Sequence, residues 1–216
     1  MRVQYQQQLD NILNELVEMT GGVRAALSQA TDALLNADVT AAELVISGDL
    51  AIDEARERIE NDSFEILARQ APVAGDLRML VASLRMVADL ERMGDLSVHV
   101  AKVARLRYPT KAVPAELEPV ISEMAKTADE MIASAADIVE TRDIRAAQEL
   151  EVADDEMDRL RRSMFRILLS DDWDAGVEPA VDMALLGRYY ERIGDHAVSM
   201  ARRIVFLVTG QHPVTL

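Results

Sequence analysis

The 216-residue sequence predicts an all-α protein, built as a tandem duplication of a three-helix bundle. Three observations lead to this prediction. The composition is 50% hydrophobic but only 4% aromatic, and helix-forming residues dominate it. Few breaks interrupt the hydrophobic periodicity, and they separate six long intervals. A twelve-residue pattern in the third interval recurs in the sixth.

Turn residues and prolines delimit the six predicted helices. The widest break, Tyr108–Pro119, contains three prolines and lies near the middle of the chain. The predicted helices cover approximately residues 3–36, 39–69, 74–107, 117–141, 144–169 and 178–209. The connections between them are short, which is typical of antiparallel bundles. We therefore expect a first bundle at 1–108 and a second at 116–216.

The two halves of the chain repeat each other. Segments Glu91–Lys102 and Glu191–Arg202 align at an offset of 100 residues, with identical Glu, Arg, Gly, Asp, Val and Ala positions. In the second and fifth helices, an offset of 102 aligns acidic pairs, and Asp38 with Ala41-Ala42 recurs as Asp143 with Ala146-Ala147. Amphipathic helices can resemble each other by composition alone. The shared order and the matching glycines favour duplication.

Carboxylates interrupt the apolar, core-facing stripe of four predicted helices. They come in pairs one helical turn apart. In the fifth helix two overlapping pairs have the same spacing, so the register of the pair is open there. The acids are Asp49 and Asp53 in helix two, Glu91 and Asp95 in helix three, Glu151, Asp154, Asp155 and Asp158 in helix five, and Glu191 and Asp195 in helix six.

A carboxylate on a core-facing stripe is costly unless something compensates its charge. One possibility is pairing with arginine, and Arg56, Arg162 and Arg202 lie within helical reach. A second is exposure to solvent. A third is a cation held between two helices, for which all-oxygen ligands favour Mg²⁺, Ca²⁺, Mn²⁺ or oxidised iron. Gly94 and Gly194 precede the second acid of their pairs and permit either close helix packing or a bound cluster.

The composition and the missing motifs exclude several classes of function. The formal charge of −15 repels nucleic acid and anionic lipid, so a membrane would be reached only through protein partners. The chain lacks cysteine, and three histidines are too few for a Cys/His zinc finger. It has no P-loop, G-x-S-x-G, H-E-x-x-H or Glu-x-x-His motif, so no enzyme is predicted. No stretch resembles a membrane span or signal peptide, which predicts a cytoplasmic protein.

These features together resemble the PhoU family, the accessory proteins of bacterial phosphate-specific transport. The resemblance covers essentially the whole chain. It rests on Glu-Arg-[Met/Ile]-Gly-Asp in each half, on the proline-bearing turn before Asp76-Leu77-Arg78, and on the closing Val208-Thr209-Gly210. It implies two three-helix bundles related by pseudo-twofold symmetry. The implied function is non-enzymatic repression of phosphate uptake and of the phosphate-starvation response, with the transporter's ATPase subunit and a sensor histidine kinase as partners.

The resemblance also implies a metal site, because some family members hold multinuclear iron or zinc clusters on the bundle surface. The implied ligands are Asp49, Asp53, Glu91 and Asp95 in one half, and Glu151, Asp155, Glu191 and Asp195 in the other, with Asp154 and Asp158 as the alternative register. Mg, Mn and Ca are also compatible with these ligands. No organic cofactor is expected, and we expect a homodimer. The alternatives are a metalloenzyme with di-iron-type redox activity, which the missing Glu-x-x-His disfavours, and a plain helical scaffold.

Overall fold

The computed structural model describes residues 2–211, with side chains from residue 4 onward, and confirms the all-α prediction. Its helices are α1 (Arg2–Asn36), α2 (Val39–Gln70), α3 (Ala74–Arg107), α4 (Glu118–Thr141), α5 (Ile144–Leu168) and α6 (Val177–Thr209). Each boundary lies within one residue of the expectation from sequence. No helix within the described residues is long and apolar enough to span a membrane.

Equivalent aspartates begin the second helix of each half. The Asp38 carboxylate accepts hydrogen bonds from backbone N–H groups in the first turn of α2, and Asp143 does the same for α5. Such N-caps satisfy backbone donors that a helix start leaves unpaired. Because Asp38 corresponds to Asp143, Asp49 corresponds to Asp154. The structure therefore aligns α2 with α5 at an offset of 105 residues, not 102. The two alignments differ by three residues, which keeps nearly the same helix face, so the sequence pattern alone could not exclude the offset of 102.

Four helices form the centre of the molecule. Helices α1 and α3 pack together in the first half, and α4 and α6 in the second, while α1 meets α4 and α3 meets α6 across the halves. Helix α2 lies outside against α1 and α3, and α5 lies outside against α4 and α6. The core between them is aliphatic and rich in methionine, with fully buried residues such as Leu16, Met86 and Met131. The outer helices thus complete two three-helix bundles.

Helices α3 and α6 run antiparallel across the boundary between the halves, and buried polar groups join them. The Asp89 carboxylate, 7% exposed, accepts from Arg203 Nε at 2.8 Å and lies 3.0 Å from His196 Nδ1. Towards the other end of the pair, Arg107 Nη2 donates to Asp182 at 3.0 Å. Removing one partner of such a pair leaves the other charge buried and unpaired. These contacts therefore fix how the two bundles face each other.

Candidate functional site

The acidic residues of each half lie where an outer helix packs against a central one, and a glycine allows the close approach. A Cβ at Gly94 would lie 3.0 Å from Ile52 Cδ1 and 3.6 Å from Asp49 Oδ1. A Cβ at Gly194 would lie 3.4 Å from Asp154 Oδ1. The carboxylates of Asp49 and Asp154 would stay at ordinary van der Waals distance from such a Cβ, whereas Ile52 of α2 and Met131 of α4, 3.2 Å from the Cβ at Gly194, would have to give way. Of the two uses considered for these glycines, the structure shows close packing.

The same geometry favours one register for the acidic pair of α5. Asp154 is half-buried and experiences the charges of Asp195, Asp158 and Glu191. Glu151 accepts from Arg202 Nε at 2.7 Å instead, and Asp158 is among the charges that raise the pKa of Asp195 on α6. The structure therefore favours Asp154 and Asp158 over Glu151 and Asp155 as partners of the acids on α6.

Four acidic side chains form a cluster in each half of the chain. The first cluster comprises Asp49, Asp53, Glu91 and Asp95, and the second cluster comprises Asp154, Asp158, Glu191 and Asp195. Both combine one acidic pair from an outer helix with one from a central helix.

Both clusters contain carboxylates whose charge is poorly compensated. Burial raises the pKa of Asp49, and the charges of Asp95 and Asp53 raise it further. In the second cluster, burial raises the pKa of Asp154 to about 6, with additional contributions from Asp195 and Asp158. Burial and then Glu191 also raise the pKa of Asp195, against the opposing charges of Arg188 and His196. The packing thus holds carboxylates together at an electrostatic cost.

Equivalent arginines on the outer helices face the two glutamates. Arg56 Nε lies 3.9 Å from Glu91 Oε1, and Arg161 Nη1 lies 3.3 Å from Glu191 Oε1. In each arginine the Nε is buried without a hydrogen-bond partner among the described residues. Sequence reasoning selected Arg162, which is exposed, and missed Arg161. The N-cap correspondence of α2 and α5, which aligns Arg56 with Arg161, is the signal that could have found it.

The glutamate of each cluster thus faces an arginine, and some of the aspartates do as well: Asp53 Oδ1 lies 3.8 Å from Arg56 Nε. In the first cluster, Arg92 Nη1 also lies 2.9 Å from Asp95 Oδ2. In the second, Arg188 Nη1 lies 2.6 Å from Glu191 Oε2 but 3.9 Å from Asp195 Oδ2. Among residues 2–211, no three acidic or histidine side chains converge on an arrangement that could hold a metal ion as they stand. A bound cation would require the side chains to rotate towards one another.

The two histidines near these acids have other contacts. His99 stacks on Tyr189, with ring centroids 5.3 Å apart, and His196 faces Asp89 across the boundary between the halves. Both contacts join α3 to α6. In this arrangement the histidines contribute to the packing of the two bundles rather than to the acidic clusters.

A duplicated three-helix bundle with a carboxylate cluster in each half defines a class of all-α protein. The chain belongs to the PhoU family, since the PhoU domain model matches it twice, over residues 16–104 and 121–204. The match to both halves covers most of the six helices.

Similar proteins extend over the full length of the chain. It is 46% identical to "Phosphate-specific transport system accessory protein PhoU homolog 2" of Mycobacterium tuberculosis, over 99% of this chain and 100% of that protein. Identity to PhoU homolog 1 of Mycobacterium leprae is 44%, over 99% of this chain and 96% of the relative. The crystal structure of PhoU from Pseudomonas aeruginosa has a TM-score of 0.86 at 26% identity, covering 96% of this chain and 100% of that one.

Replacing Asp154 with Asn should stabilise the protein at neutral pH. The raised pKa means that ionised Asp154 destabilises the folded state above about pH 6, and that the folded state regains this free energy by binding a proton at lower pH. Because the side chain is about half-exposed, we discount the effect of the shift for solvent screening and expect a gain of about 1 kcal/mol at pH 7.5. The gain should fall to about half at pH 5 and vanish below about pH 4.

The measurement is urea unfolding of wild type and D154N across this pH range, in the presence of a chelator. The control is D10N, at an exposed aspartate of α1, which should change stability by less than about 0.5 kcal/mol. A D154N variant that is less stable than wild type at pH 7.5 would show that the Asp154 charge is compensated in the folded protein.

Proposed function

We propose that this protein is a non-enzymatic regulator of phosphate homeostasis, which restrains phosphate uptake and the phosphate-starvation response when phosphate is plentiful. The observation that supports this proposal is the full-length similarity, in both halves, to phosphate-specific transport system accessory proteins. The fold fits an adaptor, because six long helices present extended surfaces for partner proteins. Neither the sequence nor the clusters contain an arrangement of nucleophile, base and oxyanion donors that would favour an enzyme instead.

The proposed mechanism is steric and allosteric. As a cytoplasmic homodimer, the protein would bind the ATPase subunit of the phosphate ABC transporter and the sensor histidine kinase of the phosphate response. A bound protein shifts a conformational equilibrium only through its different affinities for the two states. The adaptor must therefore bind the non-signalling state of the kinase more tightly than the signalling state. The exposed apolar residues Leu77, Val181 and Leu185 on the central helices are candidate partner contacts.

Deleting the gene should release the phosphate-starvation response. In a strain that lacks this gene and any paralogue, we expect alkaline phosphatase activity to be high in phosphate-rich medium. The wild-type gene on a plasmid should return it to the repressed level. Unchanged low activity in the deletion strain would contradict the proposed repression, and high activity that the plasmid fails to reverse would assign the effect to another gene.

We further propose that the two clusters can bind hard cations. The carboxylates that lack an arginine partner supply the first ligands, and an all-oxygen set suits oxidised iron, magnesium, manganese or calcium better than soft metals. Zinc accepts such ligands as well. Burial and, after it, the repulsion between carboxylates raise the pKa values of Asp49, Asp154 and Asp195, and a cation would compensate both effects, which supports this proposal. Glu91 and Glu191 would join only after turning away from their arginines.

Substitutions in one cluster should therefore abolish metal binding at that cluster and leave the other cluster able to bind metal. Metal content after loading with ferric iron or zinc and desalting should fall by about half in the double variant D154N/D195N, because the first cluster keeps its ligands. The matched control is D171N/D172N, which changes two exposed aspartates in the connection after α5. Equal metal content in wild type and D154N/D195N would contradict the assignment of ligands. This outcome is independent of the regulatory role, which the deletion experiment tests.

A further inference from the structure

A cavity of about 190 Å³ opens between the first half of α3 and the last turns of α6, and no member of either acidic cluster lines it. Three arginines and a serine supply its polar lining, and apolar side chains including Val81 and Phe206 supply the rest. The four polar residues are Arg85, Ser199, Arg202 and Arg203. Since Arg85 comes from one half of the chain and the others from the second, the cavity spans the boundary between the two bundles.

Two of the arginines are fixed in place through Nε alone. Arg203 Nε donates to the buried Asp89 at 2.8 Å, and Arg202 Nε donates to Glu151 at 2.7 Å. Their terminal Nη groups make no further hydrogen bond to the described residues. Anchoring at Nε holds a guanidinium in one orientation and leaves two N–H-bearing nitrogens available for a ligand.

The other polar residues of the cavity have no protein partner within residues 4–211. Arg85 is exposed and forms no ion pair there, and the Ser199 hydroxyl makes no hydrogen bond. Asp89 and Glu151 offset two of the three guanidinium charges, so the group retains one net positive charge. The positive charge of this group is opposite in sign to that of the chain as a whole, which has a formal charge of −15.

At the opposite end of the α3–α6 pair, a comparable arginine has carboxylate partners within the protein. There Arg107 pairs with Asp182 and with Glu178, so carboxylates of the chain itself satisfy the guanidinium. At the cavity no carboxylate of the described residues fills the corresponding role for Arg85. An external anion would accept hydrogen bonds from the Arg85 donors that have no partner among the described residues.

We propose that this cavity binds a small oxyanion of the phosphate class, either inorganic phosphate or the phosphate group of a monoester. Guanidinium groups bind such oxyanions through paired, charge-assisted hydrogen bonds, and a serine hydroxyl can donate a further one. The bound anion would contact residues of both α3 and α6 and would therefore connect the two bundles. This inference does not rest on the proposed repression, because it concerns binding to the isolated protein.

The test is isothermal titration calorimetry of the full chain with inorganic phosphate and, separately, with AMP, at constant ionic strength maintained with chloride. Two variants disrupt the cavity: R85Q removes the unpaired guanidinium, and V81E adds a carboxylate at a partly exposed position. We expect each to weaken binding by about tenfold or more, equivalent to about 1.4 kcal/mol.

The matched controls are V181E, which changes the position equivalent to Val81 on α6, and R162Q, which removes an exposed arginine outside the cavity. Both should bind as wild type does.

Saturable binding that R85Q and V81E weaken and the controls do not would support the site. Tighter binding of AMP would then assign it to a monoester, and equal or tighter binding of inorganic phosphate would assign it to the free ion. Three results would overturn the proposal: no saturable binding of either probe up to about 10 mM, equal affinities in wild type, R85Q and V81E, or an equal loss of affinity in V181E, which would reflect overall charge.

Discussion

The close packing of each outer helix on a central helix is the constraint on which the rest of the structure depends. Gly94 permits this approach in the first half, because a Cβ there would lie 3.0 Å from Ile52 of α2; at the equivalent Gly194, a Cβ would lie 3.2 Å from Met131 of α4 and 3.4 Å from Asp154 of α5. The approach also brings acidic pairs from two helices together at equivalent places in the two halves. Packing and charge therefore oppose each other at the same positions, and the raised pKa values of Asp49 and Asp154 are the consequence.

The protein partly relieves this repulsion and does so unequally in the two halves. Arg56 and Arg161 face the glutamates in equivalent ways, but the aspartates of α3 and α6 differ. Asp95 has a close arginine partner at 2.9 Å, whereas the nearest arginine to Asp195 is 3.9 Å away. In the second cluster the close arginine contact, from Arg188 at 2.6 Å, is to Glu191 instead. The two clusters therefore place their arginine partners on different carboxylates.

Much of the fold and of the acidic clusters could be predicted from the sequence. The residues that were predicted wrongly or missed have physical reasons. Helix boundaries were predictable because caps and prolines act locally, as Asp38 and Asp143 show. The choice between Glu151 with Asp155 and Asp154 with Asp158 was not, since residues three positions apart lie on nearly the same helix face and only the packing of α5 on α6 separates the two pairs. Arg162 was selected and Arg161 missed because the correspondence between the N-caps Asp38 and Asp143, which aligns Arg56 with Arg161, was not applied along α5. The arginine cavity depends on contacts between residues more than 100 positions apart, such as Asp89 and Arg203, which no local pattern reveals.

The central claim is that this protein acts by physically binding the phosphate transporter. The most direct measurement is the association of the purified chain with the purified ATPase subunit of the phosphate ABC transporter from the same organism, followed by biolayer interferometry. We expect saturable binding that an unrelated ABC ATPase does not reproduce. Absence of specific binding, with both proteins folded and the transporter subunit active in ATP hydrolysis, would contradict it.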